Sequence, residues 1–335
     1  MKMISNRRTN EFPILRLPFL AIEEIFKTMD RIKIINFSMI SKRTKTVAKN
    51  MDFYSKYAIC LYIDKTLGIS INGTNYLVTC TYLMTSDKQM DGKIEQNEYN
   101  QCIIRSIFKY SMDPVEEWKQ LCKHVLGIFK KQTINNLFMV LDAFADQNIS
   151  IIDFLKTNVK SVNRCSLFQW DKENNVEENF AYFLNNITIK NELGSSLHIK
   201  NNNFDGKIPK HLKELYIGNS QWIGYERLLE IDSKHVILRS DRITNKEWNS
   251  FLKKWIAMET NQNLECLELS HKHLEEFREL VLHDIPHEMV DGGDKRVLKN
   301  FLNRRVINGG IDIRRIDGRT ATFFTRFDNF WMSVH

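Results

Sequence analysis

Short strand-like segments recur along the second half of the sequence, and helical segments separate them. These segments are rich in Leu, Ile and Val, and they lie at residues 187–189, 215–217, 236–238 and 267–269. A strand that is followed by a helix and then by another strand is typical of a parallel sheet, because the chain must cross over before it can run in the same direction again. The alternation therefore predicts a stack of parallel strands.

The spacing of these segments narrows the prediction further. Successive segments start 28, 21 and 31 residues apart, which is within or near the period of leucine-rich repeats, about 20–29 residues. The period is irregular, and it favours a curved, solenoid-like region of leucine-rich-repeat type over a doubly wound nucleotide-binding fold. The chain then ends in a predicted β-hairpin, because Asp317-Gly318 is a strong turn signal between two alternating apolar segments.

One helix of this region has a clear start and a clear apolar face. Thr244 can cap the helix while Glu247 completes a capping box. The large apolar residues that follow are spaced i, i+3, i+4, i+7, namely Trp248, Phe251, Leu252 and Trp255. We expect these four residues to belong to the core of the C-terminal domain. The alternative is an exposed aromatic anchor for a binding partner.

Residues 12–54 are predicted to form three short helices. In the first helix Ile22, Ile25, Phe26 and Met29 share one face. Asp30 and Ser41 are suitable N-caps for the second and third helices. A segment of this length buries little core alone, so its surplus apolar positions favour a helical partner.

The intermediate region, residues 55–180, mixes both periodicities. Alternating apolar residues and the turn signal Asn72-Gly73 predict a hairpin, whereas the polar stretch 85–101 predicts an exposed loop. Asp113-Pro114 combines an N-cap with a proline at the first helical position and predicts a helix. A buried strand is expected at 137–141.

The charge of the chain is concentrated at one end. Residues 1–50 contain 11 Lys/Arg and 4 Asp/Glu, so this stretch carries an excess equal to the whole net charge of +7. Apolar residues make up 43% of the chain and charged residues 27%, which is ordinary for a globular protein and excludes wholesale disorder. A basic end favours an acidic protein partner, nucleic acid or an anionic membrane.

The sequence also predicts where the protein works. It has no apolar run long enough for a membrane helix, and its first residues lack the apolar stretch of a signal peptide. Its six cysteines are scattered without a C-x-x-C pair, and a chain this long needs no disulfide framework. We therefore expect reduced thiols, no membrane partner and a cytoplasmic or nuclear location.

The first module resembles the F-box. The carriers of this resemblance are Leu17-Pro18, Ile22, Ile25, Phe26, Met29-Asp30, Ile34-Ile35, residues 40–43 and Val47. Three further stretches resemble the type 2 F-box-associated domain of the large nematode F-box families, and these are residues 243–255, 264–269 and 311–322. The matches cover about half of the chain.

The residue patterns and the resemblance together predict a fold of mixed α+β and α/β class. The predicted chain has a flexible N-terminus (1–11), an F-box (12–54), a mixed intermediate region (55–180) and an F-box-associated domain with leucine-rich-repeat-like units (181–335). The resemblance further implies a non-catalytic substrate-recognition subunit of a cullin–RING ubiquitin ligase. In such a subunit the F-box docks on the Skp adaptor and the C-terminal domain recruits a protein target. Carried over from the family, the residues that contact or shape the adaptor-binding face are Leu17, Pro18, Ile25, Ile34, Ile35 and Ser41. Many F-boxes have a glutamate two residues after the proline, and this chain has Leu20 there.

Two other functions remain open from the sequence. One is a scaffold that binds its target without any ligase. The other is a nucleic-acid-binding protein that uses the basic third helix, with Lys42, Arg43, Lys45 and Lys49. Salt separates a phosphate-binding surface from an apolar docking face, because phosphate contacts weaken steeply as ionic strength rises.

Motifs for catalysis or cofactor binding are not apparent. The sequence has no G-x-S-x-G and no glycine-rich phosphate loop, so no cofactor and no catalytic residue is predicted. Residues 87–98 match a calcium loop in part, but Gln89 occupies a ligand position. Four histidines are close in sequence, namely His271, His273, His283 and His287, and we interpret them as surface residues and not as a zinc site.

Overall fold

The computed structural model describes residues 14–73, 77–99, 101–201, 204–269, 273–298, 305–326 and 329–335. The chain divides into two compact units. The first comprises residues up to 59 together with 68–131, and the second comprises 60–67 and 132–335. Both units contain helices and strands, so the fold is of the α+β class. Among the described residues no helix combines the length and the apolar character that a membrane crossing requires.

Fifteen strands and nine α-helices are formed by the described residues. The helices are α1 (Phe19–Thr28), α2 (Arg31–Met39), α3 (Lys42–Lys49), α4 (Pro114–Ile128), α5 (Asn148–Asn158), α6 (Glu177–Asn186), α7 (Tyr225–Glu230), α8 (Asn245–Ile256) and α9 (Leu274–Leu280). The strands are β1 (Ala58–Ile63), β2 (Leu67–Asn72), β3 (Val78–Thr85), β4 (Ile94–Tyr99), β5 (Cys102–Tyr110), β6 (Thr133–Val140), β7 (Ser161–Phe168), β8 (Ile189–Ser196), β9 (Leu212–Ile217), β10 (Ser233–Leu238), β11 (Cys266–Leu269), β12 (His287–Leu298), β13 (Arg305–Arg314), β14 (Thr320–Arg326) and β15 (Asn329–Val334). Short 3-10 turns lie at Ile14–Arg16, Phe53–Lys56, Lys88–Met90 and Ala145–Gln147.

The helices of the first unit begin where the sequence predicts. The Asp30 carboxylate accepts from the backbone N–H of Ile32 at the start of α2, and Ser41 forms a capping box with Thr44 at the start of α3. Asp113 caps α4, with Pro114 at its first position. Helices α2 and α4 both pack on strand β3.

The sheet of the first unit has the strand order β2-β3-β5-β4. Strands β3 and β5 are parallel, and β4 pairs with β5 in the antiparallel direction from Ile94 opposite Ile107 onward. The predicted exposed loop at 85–101 is therefore wrong for residues 94–99, which form strand β4. The segment reads as a loop because its side chains are mostly polar, but an edge strand is held by backbone hydrogen bonds and tolerates polar side chains.

The second unit is built on parallel strands that follow one another in chain order. Strands β1, β6, β7, β8, β9, β10 and β11 are neighbours in that order, and every pair among them is parallel. Crossover connections between parallel strands are right-handed. Because each successive strand of this sheet lies on the same side of the one before it, the connecting helices should all lie on one face of the sheet. We therefore expect the crossover helices of the described residues to leave the opposite face uncovered, and we call it the open face.

Burial along the strands agrees with this arrangement. Leu215 and Ile217 of β9 are buried, whereas Glu214 and Tyr216, which alternate with them along the strand, are partly exposed. In β8 Leu193 is buried and Gly194 is partly exposed. Each strand thus contributes alternate side chains to the core and to the open face.

The C-terminal strands extend the same sheet in the antiparallel direction. Strand β15 pairs with β11, and β14, β13 and β12 follow in order. The predicted hairpin is confirmed, because Arg314 lies opposite Thr320 across a turn in which Gly318 adopts a φ of +89°. The leucine-rich-repeat-like solenoid and the boundaries 12–54, 55–180 and 181–335 stay predictions.

Candidate protein-interaction faces

Two sets of contacts hold helices α1 to α3 in the first unit. The ring of Phe26 in α1 packs edge-on against that of Phe37 in α2, with ring centroids 5.2 Å apart. Ser38 in α2 lies 2.8 Å from the Nε2 atom of His124 in α4. The three-helix segment is thereby anchored to α4 as well as to itself.

The six residues predicted to contact or shape an adaptor face fall into two groups. Ile34 and Ile35 are fully buried in the core of the first unit. The other four reach the surface to some degree, since Leu17 and Ile25 are half-buried and Pro18 and Ser41 are exposed. In this structure the first group can only shape the face, whereas the second group is available for direct contact.

Four exposed apolar side chains near these residues were missed from the sequence. Leu20 and Ile40 are 75% and 73% exposed, and Phe19 and Met39 are 46% and 44% exposed. They lie in the first turn of α1 and at the end of α2. Their exposure could have been predicted from the sequence, because they lie outside the apolar faces, spaced i, i+3, i+4, that helices α1 and α2 bury. We call these four residues the apolar rim.

Exposed basic side chains lie next to the apolar rim in the sequence. Lys42, Arg43, Lys45 and Lys49 of α3 are all exposed. The Arg43 guanidinium donates to the carbonyl oxygen of Leu15 at 3.1 Å, which ties the start of α3 to the residues that precede α1. The surface of α1 to α3 therefore combines apolar and positively charged groups.

Helix α8 buries its apolar face completely. Trp248, Phe251, Leu252 and Trp255 are each at most 1% exposed. Thr244 and Glu247 form the capping box at its start. The guanidinium carbon of Arg315 lies 5.1 Å from the centre of the Trp255 ring.

The open face of the second unit contains a groove of about 620 Å³. One end is aromatic: the rings of Phe138 and Phe168 stack with centroids 4.9 Å apart, and Tyr62 lies 6.3 Å from Phe138. Its floor includes Ser166 and Gly194, whose small size leaves the space open. One row of side chains crosses four successive strands of the sheet. Its members are register neighbours, namely Phe138, Ser166, Gly194 and Tyr216.

A second row, beside the first, is charged. Arg164, Glu192 and Glu214 are register neighbours on β7, β8 and β9. Arg164 forms an ion pair with Glu192 at 3.0 Å. No basic side chain of the described residues lies within ion-pair distance of the Glu214 carboxylate. Burial, together with the nearby charge of Glu192, raises the pKa of Glu214.

The first row, which contains Tyr216, continues through Ile237 of β10 to Glu268 of β11. The Arg239 guanidinium lies 5.6 Å from the centre of the Tyr216 ring, and its Nε atom is 3.4 Å from the carboxylate of Glu268. Glu268 is 5% exposed, and its other carboxylate oxygen has no hydrogen-bond partner among the described residues. Burial raises the pKa of Glu268.

Comparison with known families decides the identity of the chain. Residues 14–56 match the family model described as "F-box domain", and residues 203–269 match the model described as "F-box associated". The chain is an F-box protein with an F-box-associated domain. Helices α1 to α3 are its F-box, and the F-box-associated match covers strands β9, β10 and β11 with helices α7 and α8.

This F-box protein is similar to two nematode proteins. It is 22% identical over 350 aligned residues to the Skn-1 dependent zygotic transcript 15 protein of Caenorhabditis elegans, and the alignment covers 96% of each chain. It is 26% identical over 184 residues to the E3 ubiquitin-protein ligase hecw-1 of the same organism, with 49% of this chain and 14% of that protein covered. No solved structure matches the F-box protein.

Two aspartates of the partial calcium loop accept backbone hydrogen bonds, and the described histidines of residues 271–287 are exposed or partly exposed. Asp87 accepts from the backbone N–H of Gln89, and Asp91 accepts from the backbone N–H of Tyr110. Glu98 lies in strand β4, opposite Ile103. His273 and His283 are exposed, and His287 lies in β12. His271 lies outside the described residues.

Proposed function

We propose that this F-box protein is the substrate-recognition subunit of a Skp–cullin–F-box ubiquitin ligase. The F-box binds the Skp adaptor, and through it a cullin, while the second unit holds a protein target. The ubiquitin transfer itself is carried out by other subunits, so this chain contributes binding and no catalysis. The complex works in the cytosol or the nucleus.

The apolar rim is the observation that supports this proposal. Leu20 and Ile40 are each nearly three-quarters exposed, whereas Phe26 and Ile35 of the same helices are fully buried. The helices therefore bury one apolar face in the first unit and present further apolar groups to solvent. Large exposed apolar groups at the start of α1 and the end of α2 favour a protein interaction surface.

The charge of helix α3 suits the same partner. Four exposed cations on one short helix would attract an acidic helical surface and speed its association. The affinity would come from the apolar rim, which loses its water on binding, and the cations of α3 would form the polar periphery of the interface. Such a surface depends less on salt than phosphate binding does.

The proposal is tested with purified components. The full chain is immobilised, and the retention of a purified cullin is measured with and without purified Skp adaptor. We expect cullin to be retained only when the adaptor is present. The double variant Leu20→Ala/Ile40→Ala should retain much less of both proteins.

A matched control removes two exposed apolar side chains elsewhere, in the variant Ile149→Ala/Ile316→Ala. This control should retain adaptor and cullin like the parent protein. Loss of retention in both variants would mean that the effect is not specific to the apolar rim. Absence of adaptor binding by the well-folded parent would refute the ligase-subunit function.

A further inference from the structure

The groove on the open face lies between an aromatic end and the charged row, and no described residue of the second unit fills it. Its floor is shallow because Ser166 and Gly194 occupy the centre of the row that joins Phe138 to Tyr216. An ordinary side chain would fit at Gly194, since a β-carbon there would come no closer than 3.8 Å to any neighbouring atom. The small residue at this point therefore keeps the groove open without being required by the backbone.

Among the described residues of the two rows, Glu214 has no basic side chain within ion-pair distance, although the charge of Arg164 acts on it from further away. Arg164 is matched by Glu192, and Arg239 is matched by Glu268. Glu214 stands between these pairs, with Glu192 and His235 as its register neighbours. Burial lowers the pKa of His235, so its imidazole is neutral at neutral pH and offers Glu214 no positive charge.

A second carboxylate on the same face is also under-satisfied. Glu268 is two strands from Tyr216 in the same row, through Ile237. One of its oxygens is buried without a hydrogen-bond partner, although Arg239 approaches the other. Two carboxylates therefore lack full compensation: Glu214, two residues before Tyr216 on β9, and Glu268, two strands away in the same row. The Tyr216 ring can pack against a cationic side chain.

We propose that this groove binds an extended, basic segment of the target protein. A Lys or Arg side chain of the target would pair with the Glu214 carboxylate beside the Tyr216 ring. An apolar or aromatic side chain of the same segment would pack on Phe138 and Phe168. This inference rests on the proposed function, because it names the kind of target that the second unit holds.

The sheet geometry fixes the spacing between these two anchors. Strands β6 and β9 are three strand intervals apart, or about 14 Å at the usual separation of strands. An extended chain advances about 3.3–3.6 Å per residue, so the two anchors should be about four residues apart. Residues at i and i+4 of an extended segment point to the same side, so both side chains can face the groove.

The test uses the full chain and a phage-displayed library of random dodecapeptides. We expect enrichment of peptides that carry Lys or Arg about four residues from an apolar residue. The most enriched peptide, labelled with fluorescein, should bind the parent protein in a fluorescence anisotropy titration. Its affinity should fall roughly tenfold or more for Glu214→Lys, as for the loss of a charged contact in an interface. Gly194→Leu, which fills the floor of the groove, should weaken it similarly.

The control variant is Glu230→Lys, which makes the same charge change at an exposed position at the end of helix α7. This variant should bind the peptide like the parent. The proposal is overturned if no peptides are enriched, if acidic or uncharged peptides dominate, or if the enriched peptide binds Glu214→Lys and Gly194→Leu unchanged. Skp adaptor binding is measured on the same samples. If the adaptor binds while the peptide result is negative, the groove assignment fails and the ligase-subunit function stands.

Discussion

Asp30 begins helix α2 of the F-box and also binds the guanidinium of Arg105, which lies 75 residues further along the chain in strand β5. One carboxylate oxygen accepts from the backbone of Ile32, and the other pairs with Arg105. The F-box therefore shares a polar contact with the sheet of the first unit and is more than an independent three-helix segment.

Because Asp30 has both roles, Asp30→Ala should destabilise the protein more than Arg105→Ala. Asp30→Ala should lower the free energy of unfolding by about 1–2 kcal/mol, because the cap and the ion pair are lost together. Arg105→Ala should cost less than about 1 kcal/mol, because its side chain is 37% exposed and the cap remains. Urea unfolding of both variants measures the difference. An equal or larger loss in Arg105→Ala would show that the cap contributes little.

The buried face of α8 predicts a structural defect on truncation. Trp248→Ala and Trp255→Ala should each cost roughly 3–5 kcal/mol, because a large cavity would form in the core of the second unit. We expect lower melting temperatures and little soluble protein in both cases. If both variants melt like the parent, the two tryptophans contribute nothing to the core, and this face becomes a candidate for target binding.

The entry into α1 predicts a binding defect without a folding defect. Leu17 and Pro18 lie at the surface, with the Pro18 carbonyl oxygen accepting from the backbone N–H of Ile22. Changing both residues to alanine should weaken adaptor binding by about 2 kcal/mol or more, the level of an interface hot spot. Calorimetric titration with the adaptor gives this value, and circular dichroism serves as the folding control. A well-folded double variant with unaltered affinity would remove these residues from the docking face.

His124 gives the first unit a pH-dependent contribution to stability. Burial and the nearby charge of Lys45 lower the pKa of His124 below 6.5. A base with a lowered pKa favours folding while it is neutral, so the stability falls as the pH drops below this value. In His124→Gln the amide can still donate to Ser38 but cannot be protonated. Melting temperatures between about pH 8 and pH 5 should therefore fall less in His124→Gln than in the parent. Parallel curves would contradict this role for His124.

Glu268 should have the opposite effect on stability. Its folded-state pKa is raised by burial above the ordinary value of 4.5, so the ionised carboxylate opposes folding at neutral pH. Glu268→Gln should raise the free energy of unfolding by about 1 kcal/mol at pH 7, since one buried oxygen lacks a partner. The gain should disappear as the pH falls below 4.5, where both side chains are neutral. A loss of stability at pH 7 would mean that the pair with Arg239 outweighs the burial cost.

The local signals in the sequence were sufficient for many of the elements. Asp30, Ser41, Asp113 and Thr244 cap the helices that they were predicted to cap. Caps and helix periodicity depend on residues a few positions apart, so they can be read from a single sequence. Strand β4 could not be recognised in this way, because its pairing with β5 gives no apolar pattern.

The groove could not be predicted because its parts are distant in sequence. Phe138, Gly194 and Tyr216 form one row only through the register of parallel strands. That register depends on how each crossover packs, which no short-range pattern specifies. The apolar rim was missed for another reason. Leu20 and Ile40 look like additional core residues until the packing of α1 and α2 shows that other residues fill the core.

Calorimetric titration of the full chain with purified Skp adaptor tests the central claim most directly. We expect one-to-one binding with a dissociation constant of about 1 μM or tighter, the range of a specific protein interface. The affinity should change little between low and high salt, because the apolar rim carries the contact. Absence of measurable binding by the folded chain would contradict the assignment of this F-box protein to a ubiquitin ligase.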